Sequence, residues 1–148
     1  MATTATTRRP TTSAQQGVVH GVLGGLAGGV IFGVMMQALG MMGMIAMLVG
    51  SESIAVGWVV HVTISAVFGA GYGVVMAPRI SGWGAGLGTG VAYGALLWVL
   101  GPLLLMPTRM GMPVFTLDTT ALQSLLGHLV FGLVLGAVVV ALVRRERS

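Results

Sequence analysis

The sequence predicts an all-α fold: a polytopic membrane protein with four transmembrane helices, formed by two tandem two-helix repeats and with glycine-rich central helices. Three observations support this prediction: the composition, four long apolar segments, and a series of glycines that occurs twice. Of the 148 residues, 55% are hydrophobic and only 7% are charged, and the mean hydropathy is +0.98. Soluble domains contain about 25% charged residues, so this chain could not cover its surface in water.

Residues 1–16 precede the apolar part of the chain and are polar and rich in threonine. Because no apolar periodicity supports a helix or a strand here, we expect a disordered tail. Arg8 and Arg9 stand before an apolar run, as in an export signal. However, Pro10 follows directly, and the run is longer than the usual ~7–15 residues. We therefore expect no cleaved signal.

Four apolar segments follow, and each is long enough to cross a hydrocarbon core of ~30 Å, which takes about 20 helical residues. They cover about residues 17–48, 54–76, 84–105 and 120–143. The first is long enough to continue as a second short helix, and prolines 102 and 107 are expected to end the third. The membrane domain is thus predicted to cover residues 17–143, followed by a basic tail at 144–148.

The arginines predict the orientation of these spans. Six of the seven basic residues share one side of a four-span topology, namely Arg8, Arg9, Arg79, Arg144, Arg145 and Arg147. Arg109 lies on the other side, with Glu52 and Asp118. Because cytoplasmic loops carry an excess of arginine, both termini are expected in the cytoplasm and the protein in the cell membrane. Topology then explains the net charge of +4, and without a basic face no nucleic-acid partner is expected.

Glycines recur every fourth residue in the first and third segments. An interior glycine costs a helix in water roughly 1 kcal/mol relative to alanine, but in hydrocarbon it lets another helix approach closely. We therefore expect the glycine faces of the first and third helices at the centre of the bundle. The predicted helix-packing glycines, with two more pairs from the second and fourth segments, are Gly21, Gly25, Gly29, Gly33, Gly82, Gly86, Gly90, Gly94, Gly69, Gly73, Gly132 and Gly136.

The glycine pattern also predicts an internal repeat. A shift of 61 residues superposes GVIFGVMMQALG at 29–40 on GVAYGALLWVLG at 90–101. The two repeats cover about residues 17–76 and 82–143. Since each contains two spans, both insert with the same orientation, and a pseudo-two-fold axis along the membrane normal is expected to relate them.

Four short motifs carry a resemblance to a known group. They are Gly-Trp-Val-Val-His at 57–61, Trp-Val-Leu-Gly-Pro-Leu-Leu-Leu-Met-Pro at 98–107, Gly-Met-Pro at 111–113 and Gly-His-Leu-Val-Phe-Gly at 127–132. Over most of residues 17–143, this pattern resembles an uncharacterised family of small prokaryotic four-helix membrane proteins. The resemblance implies the four-span fold and implies no activity.

Two histidines lie inside the predicted spans, each one turn from a serine: His61 with Ser65, and His128 with Ser124. Each lies about seven residues from the start of its segment, roughly 10 Å deep at ~1.5 Å per residue. An ionisable residue at this depth favours a functional site. The alternative is a neutral histidine that only bonds one helix to another. His20 is expected near the cytoplasmic interface.

Two groups of methionines lie at the outward ends of the two repeats, where both could reach the histidines. Thioethers are soft ligands that suit Cu(I), and histidine with methionine also ligates haem. The candidate ligands for copper or haem are His61, His128, Met41, Met44, Met106 and Met112. The alternative is that these methionines pack in an apolar core, since their spacing is irregular.

The sequence contains few potential catalytic groups, and this limits the functions that it can have. The chain has no cysteine, and its three carboxylates, Glu52, Asp118 and Glu146, lie in or beside loops and the tail. No acid/base pair is therefore expected inside the spans, and we expect no enzyme. The main hypothesis is a non-enzymatic accessory or scaffold subunit, in a homo-oligomer or a membrane complex. The alternatives are an outward haem or copper site and a small transporter or channel that acts as an oligomer.

Overall fold

The computed structural model describes residues 12–148, and over this range the chain forms helices joined by short loops, with no β-strand. The helices are α1 (Ala14–Ala38), α2 (Met42–Met47), α3 (Ile54–Met76), α4 (Trp83–Leu100), α5 (Met106–Met110) and α6 (Thr119–Arg147), and a π-helical turn, Gly101–Leu105, joins α4 to α5. Four units are long and apolar enough to cross a membrane: α1, α3, the unit Trp83–Met110, and α6. The all-helical, four-span prediction is therefore confirmed.

A capping box starts α1 earlier than predicted. The Gln16 amide donates to the Ser13 hydroxyl at 3.2 Å, and the Ser13 amide donates to the Gln16 side chain at 2.8 Å. These bonds satisfy backbone donors that a helix start otherwise leaves free. The helix therefore begins at Ala14 and takes residues 14–16 from the predicted tail, whose residues 1–11 lie outside the described part of the chain. Similarly, α6 continues through residues 144–147.

Both ends of the described chain lie at one end of the bundle. His20 Nε2 is 3.1 Å from a Glu146 carboxylate oxygen, and the Arg147 guanidinium donates to the Ile80 carbonyl at 3.0 Å. We call this the basic end. The other, with α2, α5 and the 111–118 loop, is the methionine end. This arrangement agrees with an even number of spans, whereas the side of the membrane that each end faces stays a prediction.

Helices α1 and α6 form the centre of the bundle. In each, 44% of the most apolar stretch is buried, against 22% for α3 and 17% for the α4–α5 unit. Across the bundle the packing order is α3, α1, α6, α4. The prediction that the first and third spans meet at the centre is therefore wrong for the third span, because the glycine face of α4 packs against α6 instead.

Glycines allow backbone contact between α1 and α3. A Cβ atom at Gly21 would overlap the carbonyl oxygen of Gly69, and one at Gly73 would overlap that of Gly17. Gly25 and Gly29 lie against Ser65, and Gly33 lies against the Trp58 ring. Such close approach is what small residues permit between helices that have no water to expel.

A similar contact joins α4 to α6. A Cβ at Gly90 would overlap the Gly132 carbonyl, and one at Gly136 would overlap the Gly86 carbonyl. Gly94 lies against the backbone of His128. Gly82 is the exception among the predicted packing glycines, because it precedes α4 and has no neighbour within 4 Å of its Cβ position.

A second glycine face on α1 was missed. A Cβ at Gly24 would lie 2.9 Å from the Leu135 side chain, and one at Gly28 would lie 2.8 Å from the Phe131 carbonyl. These two glycines face α6, on a face of α1 adjacent to the one that meets α3. Their four-residue spacing is visible in the sequence, but spacing alone does not indicate which helix each face meets.

The prolines do not end the third span, contrary to the prediction. At Pro102 the helix widens into the π turn, in which the Met106 amide donates to the Gly101 carbonyl. A π turn accommodates a residue that breaks the regular α-helical ladder. Pro107 then stands in the first turn of α5, where its missing N–H is tolerated. The helical unit consequently continues to Met110.

Two tyrosines link α3 to α4 in the half of the bundle nearer the basic end. The Tyr72 hydroxyl lies 3.1 Å from the Gly86 carbonyl and 2.8 Å from the Thr89 hydroxyl. The Tyr93 hydroxyl donates to the Phe68 carbonyl at 2.9 Å. The two rings also contact each other, with centroids 5.2 Å apart. Towards the methionine end no such link recurs among the described residues.

Candidate functional site

A cavity of about 400 Å³ occupies the half of the bundle nearer the methionine end. Its walls come from α1, α2, α3, the α4–α5 unit and α6, and nearly all of its lining is apolar. The polar exceptions within the helices are His61 and Ser65 on α3, and Thr120, Ser124 and His128 on α6. An apolar pocket with a few convergent polar groups is typical of a ligand-binding site.

Each of the two histidines donates a hydrogen bond to a backbone carbonyl. His61 Nε2 lies 2.9 Å from the Gly29 oxygen, and His128 Nδ1 lies 2.8 Å from the Ser124 oxygen. A carbonyl can only accept, so in the neutral rings the proton resides on these nitrogens, and His61 Nδ1 and His128 Nε2 carry free lone pairs. Among the described residues, the fully buried polar side-chain atom without a hydrogen-bond partner is His20 Nδ1. The lone-pair nitrogens of His61 and His128 are therefore accessible.

Phe32 lies between the two histidines. Its ring meets that of His61 edge-on at 5.3 Å between centroids, and that of His128 at 4.8 Å. Gly127 makes room for this arrangement, because a Cβ there would overlap the Phe32 ring. Phe32 therefore fixes both imidazoles while keeping them apart.

The two serine hydroxyls have different hydrogen-bond partners. The Ser65 hydroxyl donates to the His61 carbonyl at 2.8 Å, and Ser124 Oγ lies 3.4 Å from His128 Nδ1. The two His–Ser pairs line one cavity, and Phe32 of α1 lies between the histidine rings.

All six residues named as candidate metal ligands line the cavity. Met41 is buried, Met44 and Met106 are half-buried, and Met112 is 56% exposed at the rim. Within residues 12–148, no three side chains among histidine, aspartate and glutamate are grouped closely enough to hold a metal ion. A metal here would therefore depend on the thioethers.

The remaining charged groups serve the fold. Asp118 lines the rim of the cavity, where its carboxylate caps α6 by accepting from the Ala121 amide at 2.8 Å. His20 is at the other end of the bundle, paired with Glu146. It is 5% exposed, so its ring is buried between helices near the basic end, and its position at the cytoplasmic interface stays a prediction. Its Nδ1 has no hydrogen-bond partner among the described residues.

Sequence reasoning missed the aromatic floor and the proline wall of this cavity. Phe32 and Phe131 lie beneath it, and Pro102 and Pro107 stand at its side. Phe32 lies in the GVIFG stretch of the repeat, but no sequence signal indicated that it would separate the histidines. Comparison with protein-family models, with curated proteins and with solved structures found no match for the chain.

Proposed function

We propose that the chain is a multi-pass protein of the cell membrane, with both termini in the cytoplasm, that acts without catalysis as an accessory subunit and holds a ligand in its cavity. The arginines support the orientation, since Arg79, Arg144, Arg145 and Arg147 lie at the basic end and Arg109 in α5 at the other. Positive charge favours the cytoplasmic side.

The cavity is the observation that carries this proposal. Its volume of about 400 Å³ falls within the ~300–1,000 Å³ typical of ligand sites. Protein interiors are closely packed and contain few voids larger than a water molecule, so an accessible cavity of this size favours a ligand site. The carboxylates offer no competing catalytic site, because Asp118 caps a helix and Glu146 pairs with His20.

Native mass spectrometry of the full chain, released from its membrane in mild detergent, tests the proposal. We expect a bound small molecule that Leu97→Trp displaces, because Leu97 lines the cavity. Leu96→Trp is the matched control, since its neighbour Leu96 is 52% exposed and faces outward. Spectra without any adduct in the wild type, or an adduct that both variants retain, would contradict the proposal.

Soft-metal binding is a second candidate, favoured by the histidine hydrogen bonds. Metal-binding histidines nearly always donate their other ring N–H to a carbonyl, a carboxylate or water, as His61 and His128 do. The thioethers of Met41, Met44 and Met106 supply ligands that suit Cu(I). Haem ligation by the same residues would give a visible band instead.

Absorption spectroscopy with elemental analysis tests whether the protein binds copper or haem. Stoichiometric copper or a haem band, lost in His61→Ala or His128→Ala and kept in His20→Ala, is the expected result. A colourless, metal-free protein from metal-replete cells would exclude this candidate and leave the organic ligand.

The internal duplication supports a role in an assembly. The α1–α3 and α4–α6 crossings both depend on glycines against backbone carbonyls, as two copies of one hairpin would. This similarity supports a glycine-zipper repeat of about residues 17–76 and 82–143. Proteins with such repeats include transporters, so a homo-oligomer that moves a solute stays a further prediction, tested by flux into proteoliposomes.

A further inference from the structure

Side access to the cavity is indicated where hydrogen bonds between α3 and α4 cease. The tyrosine links hold these helices together only as far as Phe68 and Tyr93. Beyond that level, Ile64 and Phe68 of α3 and Leu97 and Leu100 of α4 line the cavity from its two sides. An opening between two helices on the flank of the bundle gives onto lipid when the helices span a membrane.

Exposure of the lining residues locates this opening. Ile64 is 37% exposed, Phe68 42%, Leu100 46% and Leu105 58%, although all four line the cavity. A residue can do both only at the mouth of a cavity. The four lie on α3 and the α4–α5 unit, so one mouth is the gap between these two elements, and the rim of this side mouth is apolar. The lining is exposed at the methionine end as well, at Met112, Pro113, Thr116, Asp118 and Thr120, so the cavity has a second, partly polar mouth there.

The interior offers hydrogen-bond acceptors to whatever enters. His61 Nδ1 and His128 Nε2 carry lone pairs, since the other nitrogen of each ring donates to a carbonyl. In an apolar cavity, a ligand gains from these groups only if it brings an O–H or N–H donor. Charged ligands fit poorly: among residues 12–148 the lining contains no arginine, and its single carboxylate, Asp118, is engaged as a helix cap.

We infer that the cavity takes a neutral lipid that bears a hydroxyl group, such as an isoprenoid alcohol, which enters sideways between α3 and α4 and donates its hydroxyl to His61 or His128. This inference rests on the proposed function and adds the ligand class. The apolar mouth and walls accommodate the hydrocarbon body, and the two acceptor nitrogens recognise the head.

Two probes that differ only in a hydroxyl group test whether the cavity recognises the hydroxyl of its ligand. The full chain is reconstituted in phosphatidylcholine nanodiscs, and binding of radiolabelled farnesol is compared with that of farnesyl methyl ether, which keeps the hydrocarbon and loses the donor. We expect saturable binding of one farnesol per chain and about tenfold weaker binding of the ether, the usual consequence of one unmade hydrogen bond to a buried partner. Equal affinities would overturn the inference.

Variants connect the binding to the histidines. His61→Phe and His128→Phe keep an aromatic ring and remove the acceptor, so at least one should lower farnesol affinity to that of the ether. Unchanged affinity in both would overturn the inference. If neither probe binds while native mass spectrometry still shows an adduct that Leu97→Trp displaces, the ligand class is wrong and the proposed function survives. If neither probe binds and native mass spectrometry shows no adduct, both the ligand class and the proposed function are wrong.

Discussion

At the scale of single residues, glycine positions decide whether helices can touch through their backbones. Gly90 lies against the Gly132 carbonyl, and Gly29 lies against Ser65, whereas Ala137 is half-buried on the same helix as Gly132. Close packing leaves no space for added atoms, and overpacking costs roughly 1–3 kcal/mol or more.

We therefore expect Gly29→Leu and Gly90→Leu to wedge the helices apart and lower the folded yield in detergent several-fold, while Ala137→Leu has a smaller effect. Size-exclusion chromatography with a thermal melt measures all three variants. Equal tolerance at the three positions would remove the glycine contacts as a determinant of the fold.

At the scale of elements, local sequence rules predicted most of the helices. Residues 54–76 were predicted as a span and form α3 with the same bounds, because apolar length and flanking turn residues agree there. The sequence prediction ended the third span too early, because the rule that proline ends a helix does not allow for a π turn. The central pair was missed for another reason: α1 has glycines on two sides, and sequence alone does not rank them.

Capping of α6 gives a prediction at this scale. Asp118→Ala removes the acceptor of the Ala121 amide and should cost about 1 kcal/mol. Asp118→Asn keeps an acceptor and should stay close to the wild type. Amide hydrogen exchange in the first turn of α6 reports the difference, and equal exchange in the two variants would show that the cap contributes nothing.

At the scale of the whole molecule, the sequence indicated candidate residues but not their arrangement. The histidines were named from their depth and the methionines from their thioethers and their position at the outward ends of the repeats, and all six line one cavity, whereas their role as ligands stays a prediction. The cavity itself depends on where the hydrogen bonds between α3 and α4 cease and on Phe32 between the histidine rings. Such features arise from the packing of several elements, and no local pattern encodes them.

The natural absence of cysteine makes the orientation directly testable. We expect Glu52→Cys, at the methionine end, to react with a membrane-impermeant maleimide in intact cells. Ser148→Cys, at the basic end, should react only after the cells are opened. The reverse pattern would invert the topology, and labelling of both in intact cells would contradict a four-span protein.

The two glycine faces of α1 also set an order of biogenesis. As the chain is synthesised, α1 can join α3 as soon as the first hairpin has entered the membrane, but the face with Gly24 and Gly28 must wait for α6, which is synthesised later. Until then a smooth groove along the first helix stays open to lipid. The docking of α6 is therefore the step that closes the first hairpin against its surroundings.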